Sequence, residues 1–167
     1  MSRKIFFHPE RCMLCLSCVL ACQMDEAGVS SPGAITGAMR PPSRMAVSFS
    51  NGTPWVWRCR HCVSAPCVEA CVTGSLGQTE GKGTVVHRPD TCVGCGSCRL
   101  VCPFGGLRSQ EKEARMVKCN LCPEQEVPPC VRACRSKALV FEEMAFFVQK
   151  KRKRLAREME TPMKGSG

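Results

Sequence analysis

Tyrosine is absent from the chain, tryptophan occurs twice and phenylalanine seven times among 167 residues. A sequence so short of large rings, and carrying 14 Gly and 12 Pro, can build only a thin side-chain core. Bound metal is one source that can supply the missing folding free energy directly. Long apolar runs are also missing. The longest, such as Met144 to Val148, are four or five residues, against the ~20 that a membrane-spanning helix needs. No extended apolar stretch precedes the first cysteine, so the N-terminus does not read as a signal peptide. The expected setting is a reducing cytoplasm, or a membrane surface reached through a partner. No glycine loop with P-loop or dinucleotide spacing occurs, and no nucleophile–base constellation, so the chain on its own does not read as an enzyme.

What the chain has is cysteine, 16 of them. In a short secreted protein that density would signal a disulfide scaffold, but in a reducing compartment clustered thiols bind metal more often than they pair. By spacing they form four groups of four. Cys12, Cys15, Cys18 and Cys22, and again Cys92, Cys95, Cys98 and Cys102, follow C-x2-C-x2-C-x3-C, the bacterial ferredoxin run. Cys59, Cys62, Cys67 and Cys71, and Cys119, Cys122, Cys130 and Cys134, are wider, with four and seven residues between their second and third cysteines. Structural zinc usually draws on two separated C-x-x-C pairs. Three close thiols plus one, four times over, fit that poorly and fit four [4Fe–4S] clusters well. A metallothionein-like array and a disulfide scaffold are the lesser alternatives.

The groups alternate narrow, wide, narrow, wide, and their flanks repeat as well. "FFHPERC" matches "VHRPDTC", "WRCRHC" matches "VKCNLC", and "PCVEAC" matches "PCVRAC", so that Pro9 aligns with Pro89. Duplication of a unit with one narrow and one wide motif accounts for this. Three thiols in a tight loop can hold three corners of a cube. The fourth, on a departing helical turn, points to a neighbouring cluster. Which motifs exchange their fourth cysteines is left open by spacing. The gaps between successive motifs are 36, 20 and 16 residues, and both nested and sequential pairing are topologically simple.

With the alternating motifs, "CRHC…PCVEAC" and "CVGCGSCRLVCPFG", residues 3 to 143 resemble the four-cluster subunits of the molybdopterin-oxidoreductase class. Within it they are most similar to the ferredoxins that serve carbon monoxide dehydrogenase (the CooF type) and to their hydrogenase and formate dehydrogenase relatives. The resemblance implies an α+β fold of two pseudo-symmetric ferredoxin-like units, made of short hairpins and short helices. Residues 1–22 with 103–143 would form one unit and residues 59–102 the other, with an insertion at 23–58 and a basic helical tail at 144–167. It also implies nested ligand sets: Cys12, Cys15 and Cys18 with Cys134; Cys119, Cys122 and Cys130 with Cys22; Cys59, Cys62 and Cys67 with Cys102; Cys92, Cys95 and Cys98 with Cys71. Only Cys102 is followed by the proline common in ferredoxins, Pro103. The implied role is transfer of single electrons between a catalytic oxidoreductase subunit and a second redox protein, with carbon monoxide dehydrogenase the favoured catalytic partner and hydrogenase, formate dehydrogenase or aldehyde oxidoreductase the others.

The remaining segments carry weaker signals. Asn51-Gly52 between two β-like runs predicts a hairpin in the insertion, with Trp55 and Trp57 on one face and one of them shielding a cluster. "VTGSL", "PFGGL" and "RSKAL", each following a cysteine group, predict small-residue turns that lead by a leucine into strands. His61, inside a cluster loop, is expected to hydrogen-bond or lie at the surface, and Glu69 to be a bystander. The formal charge of +10 counts cysteine as neutral. Four clusters of about −2 each would bring it near about +2. Nucleic acid is therefore not an expected partner, and a cluster-bearing regulatory or nucleic-acid-binding protein is the alternative. The basic run Lys150 to Arg154 is a solvated helix face or an electrostatic docking surface for an acidic partner.

Overall fold

The first strand and the last strand meet in one two-stranded sheet. The computed structural model describes residues 3–35, 41–81, 83–109 and 116–160. In it β1 (Arg3–Phe7) pairs antiparallel with β8 (Leu139–Glu143), setting Ile5 opposite Phe141 and Phe7 opposite Leu139. The ladder continues through His8 N, which donates to Ala138 O at 2.8 Å. This pairing brings the first cysteine motif beside the last. A second sheet, β4 (Leu76–Gln78) with β5 (Val85–His87), frames the central motifs in the same manner. There Arg88 N donates to Ser75 O, also at 2.8 Å.

Two further hairpins complete the strands: β2 (Ala46–Ser50) with β3 (Thr53–Trp57), and β6 (Leu107–Ser109) with β7 (Met116–Lys118). The β2–β3 turn is Asn51-Gly52, both at positive φ (49° and 75°), as the right-handed strand twist favours in a two-residue hairpin. The leucines expected to open strands do so: Leu76, Leu107 and Leu139 begin β4, β6 and β8, and all three are buried.

The helices are short and start where the cysteine loops release the chain. Helix α1 (Ser17–Ala27) has eleven residues; α2 (Pro66–Glu69), α3 (Ser97–Leu100) and α4 (Pro129–Arg132) have four each. In α2 and α4 proline occupies the first turn, where its missing N–H costs nothing. Helix α1 packs on α4, and α2 on α3. Helix α5 (Met144–Glu160) follows β8 directly. It is anchored by Phe147, whose ring stacks on Phe6 at 4.0 Å between centroids. Residues 161–167 of the tail, where helical composition gives out at Thr161-Pro162, lie outside the described residues, as does part of the insertion loop.

Two buried clusters replace a single core. One gathers Ile5, Met45, Val56, Leu121, Ala138 and Leu139 around Cys22, Cys130 and Cys134. The other gathers Ala65, Leu76, Val85, Leu107 and Met116 around Cys59, Cys67 and Cys98. Cys119 packs against both. The insertion contributes to the first cluster through Met45 and Val56, so it covers that core as part of it. Trp55 and Trp57 share one face of β3, as alternation predicts. Val56 between them turns inward, at 5 % exposure, and the tryptophans are left at 49 % and 42 %. The Trp57 ring lies against Gly105, three residues after Cys102, and its Nε1 donates to Ser48 Oγ.

Candidate metal centres

Each narrow motif wraps because alternate residues turn left-handed. Leu14 and Leu16 take φ of 55° and 57°, and Gly94 and Gly96 take 70° and 79° at the matching places. Glycine meets that conformation without strain, whereas the leucines adopt it at some cost. In the wide motifs His61 and Leu121 play the corresponding part, at 51° and 66°. The loops then lead into helical turns, which carry Cys22 within α1 and deliver Cys71, Cys102 and Cys134 just past α2, α3 and α4.

The structure brings the sixteen cysteines together in four places. Cys12, Cys15, Cys18 and Cys134 line one small pocket, with Phe7, Val56 and Leu139 in its wall. Cys71, Cys92, Cys95 and Cys98 line another, with Leu76, Val93 and Met116. Cys22, Cys119, Cys122 and Cys130 are mutual neighbours, as are Cys59, Cys62, Cys67 and Cys102. The last two sets adjoin through Cys59 and Cys119. Short helical turns join the first of these sets to the third and the second to the fourth, so the sets adjoin in succession, with the pocket-lining sets first and last.

Burial and crowding work against free thiolates in these sets. Burial, then the neighbouring Cys134, Cys12 and Cys15, push the Cys18 thiol up to about 11. Cys67 rises to about 11 through burial and its neighbours Cys59, Cys102 and Cys62. Cys122 reaches about 12 through burial and the adjacent Asp25 carboxylate, and Cys130 and Cys98 are raised for the same kind of reason. Four thiols that repel one another once ionised are stabilised by a positive centre among them.

Donors to sulfur are already in place. Leu139 N reaches Cys134 Sγ at 3.3 Å, Leu76 N reaches Cys71 Sγ at 3.4 Å and His61 N reaches Cys59 Sγ at 3.4 Å. Hydroxyls add to them. Ser97 lies 3.5 Å from Cys95 Sγ, Thr73 3.8 Å from Cys71 Sγ and Ser136 3.7 Å from Cys134 Sγ. Cys15 and Cys95 are exposed, and both thiols are lowered, chiefly by hydrogen bonds from Ser17 and Ser97. Among the described residues no group of three or more His, Cys, Asp or Glu is arranged to hold a single metal ion. Four-thiol sets supplied with N–H donors suit a larger polynuclear centre.

Some of the residues that matter here carried no expectation from sequence. The hydroxyls two places after a cysteine form a C-x-S/T pattern that recurs in the repeat. Arg58 and Lys118 precede the first cysteine of each wide motif, in "WRC" and "VKC", and both are buried. His61 is buried at 1 % exposure rather than at the surface. Its Nδ1 accepts from Val85 N at 3.1 Å, and its Nε2 has no partner. Glu69 is exposed.

Comparison with known proteins bears on these sets. The profile of the 4Fe-4S dicluster domain family matches residues 53–144. An iron-sulfur protein of Rhodospirillum rubrum is 34% identical over 152 residues, 81% of this chain and 79% of the relative. A putative electron transport protein of Escherichia coli K12, YsaA, is 32% identical, covering 83% of this chain and 88% of its own length. The polyferredoxin-like subunit of an aliphatic sulfonate oxidoreductase of Pyrococcus furiosus is 32% identical, covering 78% and 70%.

Proposed function

Because the chain belongs to the 4Fe-4S dicluster domain family, we propose that it is an electron-transfer subunit holding four [4Fe–4S] clusters in a line. The observation that carries this reading is the gathering of sixteen cysteines into four adjoining sets of four. The ligand sets are those of the nested pairing: Cys12, Cys15, Cys18 and Cys134; Cys22, Cys119, Cys122 and Cys130; Cys59, Cys62, Cys67 and Cys102; Cys71, Cys92, Cys95 and Cys98. Motifs one and four then form one pseudo-symmetric unit and motifs two and three the other.

When bound, such clusters supply one-electron oxidation and reduction. The chain's part is to hold them and set their surroundings. The thiolates fix each corner. The N–H groups of Leu76, Leu139 and His61 stabilise negative charge on sulfur. Apolar walls such as Val56, Leu139 and Met116 keep water from between the sets. Exposed Cys15 and Cys95 place the end sets at the surface, where a partner can approach each.

The partners are a catalytic oxidoreductase subunit and a second redox protein. The motif resemblance favours carbon monoxide dehydrogenase as the catalytic partner, and the Pyrococcus relative's name adds sulfonate oxidoreductases to the class. Helix α5, with Lys151, Arg152 and Lys153 exposed, offers a basic face for docking. Anaerobic purification is expected to yield about sixteen iron per chain and a protein rapidly reduced by a co-purifying low-potential dehydrogenase. A colourless zinc protein overturns the reading, as does a loaded protein that no co-purifying oxidoreductase reduces or oxidises.

A further inference from the structure

Arg58 and Lys118 are buried, at 3 % and 4 % exposure, and are the only buried cations among the described residues. Neither takes part in an ion pair there. Their donors go to backbone carbonyls alone. Arg58 Nη1 donates to Cys59 O at 2.9 Å and Nη2 to Ile5 O. Lys118 Nζ donates to Val85 O at 2.5 Å and Cys119 O at 2.7 Å. Arg58 Nε has no partner. A charge taken out of water without an opposite charge is strongly disfavoured, so two of them near the same cysteines ask for a counter-charge. The neighbours able to supply it are thiols: Cys119, Cys130 and Cys59 around Arg58, and Cys59, Cys119 and Cys67 around Lys118.

The contacts cross between the halves of the molecule. Arg58 leads into motif two and reaches back to β1; Lys118 leads into motif four and reaches β5. Aligning Pro9 with Pro89 aligns Ile5 with Val85, and aligning "WRC" with "VKC" aligns Arg58 with Lys118. The repeat thus places a basic side chain twice at one junction, each time on the equivalent carbonyl of the other half. The end sets have hydroxyls beside their exposed sulfurs instead.

We propose that Arg58 and Lys118 are a crossed pair of positioning residues that supply fixed positive charge between the two inner cysteine sets, making the groups bound there easier to reduce than those at the ends. The inference rests on the four-cluster reading. An added electron makes a cluster of about −2 more negative, and a nearby buried cation favours that state through a low-dielectric surround.

The test is a potentiometric titration of the loaded protein followed by EPR, with clusters assigned by a Cys→Ser exchange in each set. In Arg58→Gln and Lys118→Gln the inner pair is expected to lose about tenfold in reduced-to-oxidised ratio at fixed potential, about 59 mV for one electron, while the end pair stays near its original values. Arg58→Lys and Lys118→Arg keep the charge and are expected to keep the inner potentials. Unchanged inner potentials in a neutral variant that retains about sixteen iron overturn the proposal, as does an equal shift at both ends. Should the neutral variants fail to load, loading of the conservative ones at unaltered potentials supports it, and failure of those as well makes the pair a steric staple and overturns it. Failure of the four-cluster reading is recognised separately, as a low iron count in the unmodified protein.

Discussion

The backbone N–H of Leu139 points at the sulfur of Cys134 from 3.3 Å, five residues on in sequence and at the first position of β8. Leu76 makes the same contact to Cys71 at 3.4 Å. In both cases the first N–H of the strand that follows a motif is tied to that motif's last cysteine, so strand start and cysteine placement are one event.

Exchange of the fourth cysteines is testable by counting iron. Cys12→Ala combined with Cys134→Ala is expected to cost one cluster, leaving about twelve iron per chain. Cys12→Ala combined with Cys22→Ala is expected to cost two, leaving about eight. The reverse, about eight iron left in the first double variant and about twelve in the second, would place Cys22 and Cys134 in the sets of their own motifs.

Gly106 sits where a side chain has no room. A Cβ there would come within 2.6 Å of Arg58 O and 2.7 Å of Cys59 N, both backbone atoms beside a cysteine set. Gly106→Ala is expected to destabilise by about 1–3 kcal/mol, lowering the thermal midpoint of the loaded protein by several degrees. At Gly77 the nearest atom is the Arg88 guanidinium at 3.7 Å, and Gly77→Ala serves as the near-neutral comparison.

His61 gives the fold a pH dependence of defined sign. Burial first, then the positive charges of Lys118, Arg58 and Lys4, hold its imidazole down at about 3. The unfolded chain takes up that proton near about pH 6.5. Stability from this group is therefore fully present above that pH and is lost as pH falls toward about 3. His61→Leu matches the residue at the equivalent place, Leu121, and removes the titration. It should cost about 1–3 kcal/mol at neutral pH by orphaning Val85 N–H. Thermal midpoints between about pH 5 and 8 should then fall less steeply with acid than in the unaltered protein, by up to about 1.4 kcal/mol per pH unit. Parallel profiles would refute the assignment.

Phe147 rather than charge holds α5. Its ring stacks on Phe6 with 10° between the planes, whereas Lys150 in its pair with Glu142 is exposed and both Arg154 and Glu10 are about half-exposed. Phe147→Ala is expected to cost about 1 kcal/mol and to raise hydrogen exchange throughout residues 144–160. Lys150→Gln and Arg154→Gln should each move stability by less than about 1 kcal/mol. The reverse ranking would show the helix to be held electrostatically.

Much of the fold could be read from the chain because its signals are local. Asn51-Gly52 accepts the left-handed turn of the hairpin, and Leu76, Leu107 and Leu139 mark strand starts after small-residue turns. The four cysteine groups were separable by spacing alone. What could not be read depends on contacts distant in sequence. The pairing of β1 with β8, which sets motif one beside motif four, leaves no trace in spacing, and only family resemblance pointed to it. The burial of Val56 between two half-exposed tryptophans was not legible, because an aromatic at the surface and a small apolar residue beneath it invert the usual order of burial. Arg58 and Lys118 carried no signal, since nothing local shows that each reaches a carbonyl in the opposite half.

Exposure of Cys15 and Cys95, set against burial of Cys22, Cys59, Cys67 and Cys130, has a consequence for how a molecule loaded as proposed would wear out. Oxygen and chelators would meet the sulfurs of Cys15 and Cys95 first, so corrosion would proceed inward from the end sets. A damaged copy would lose its contacts with the outside while its interior was still intact. It would become an open circuit, idle rather than leaking charge to the surroundings.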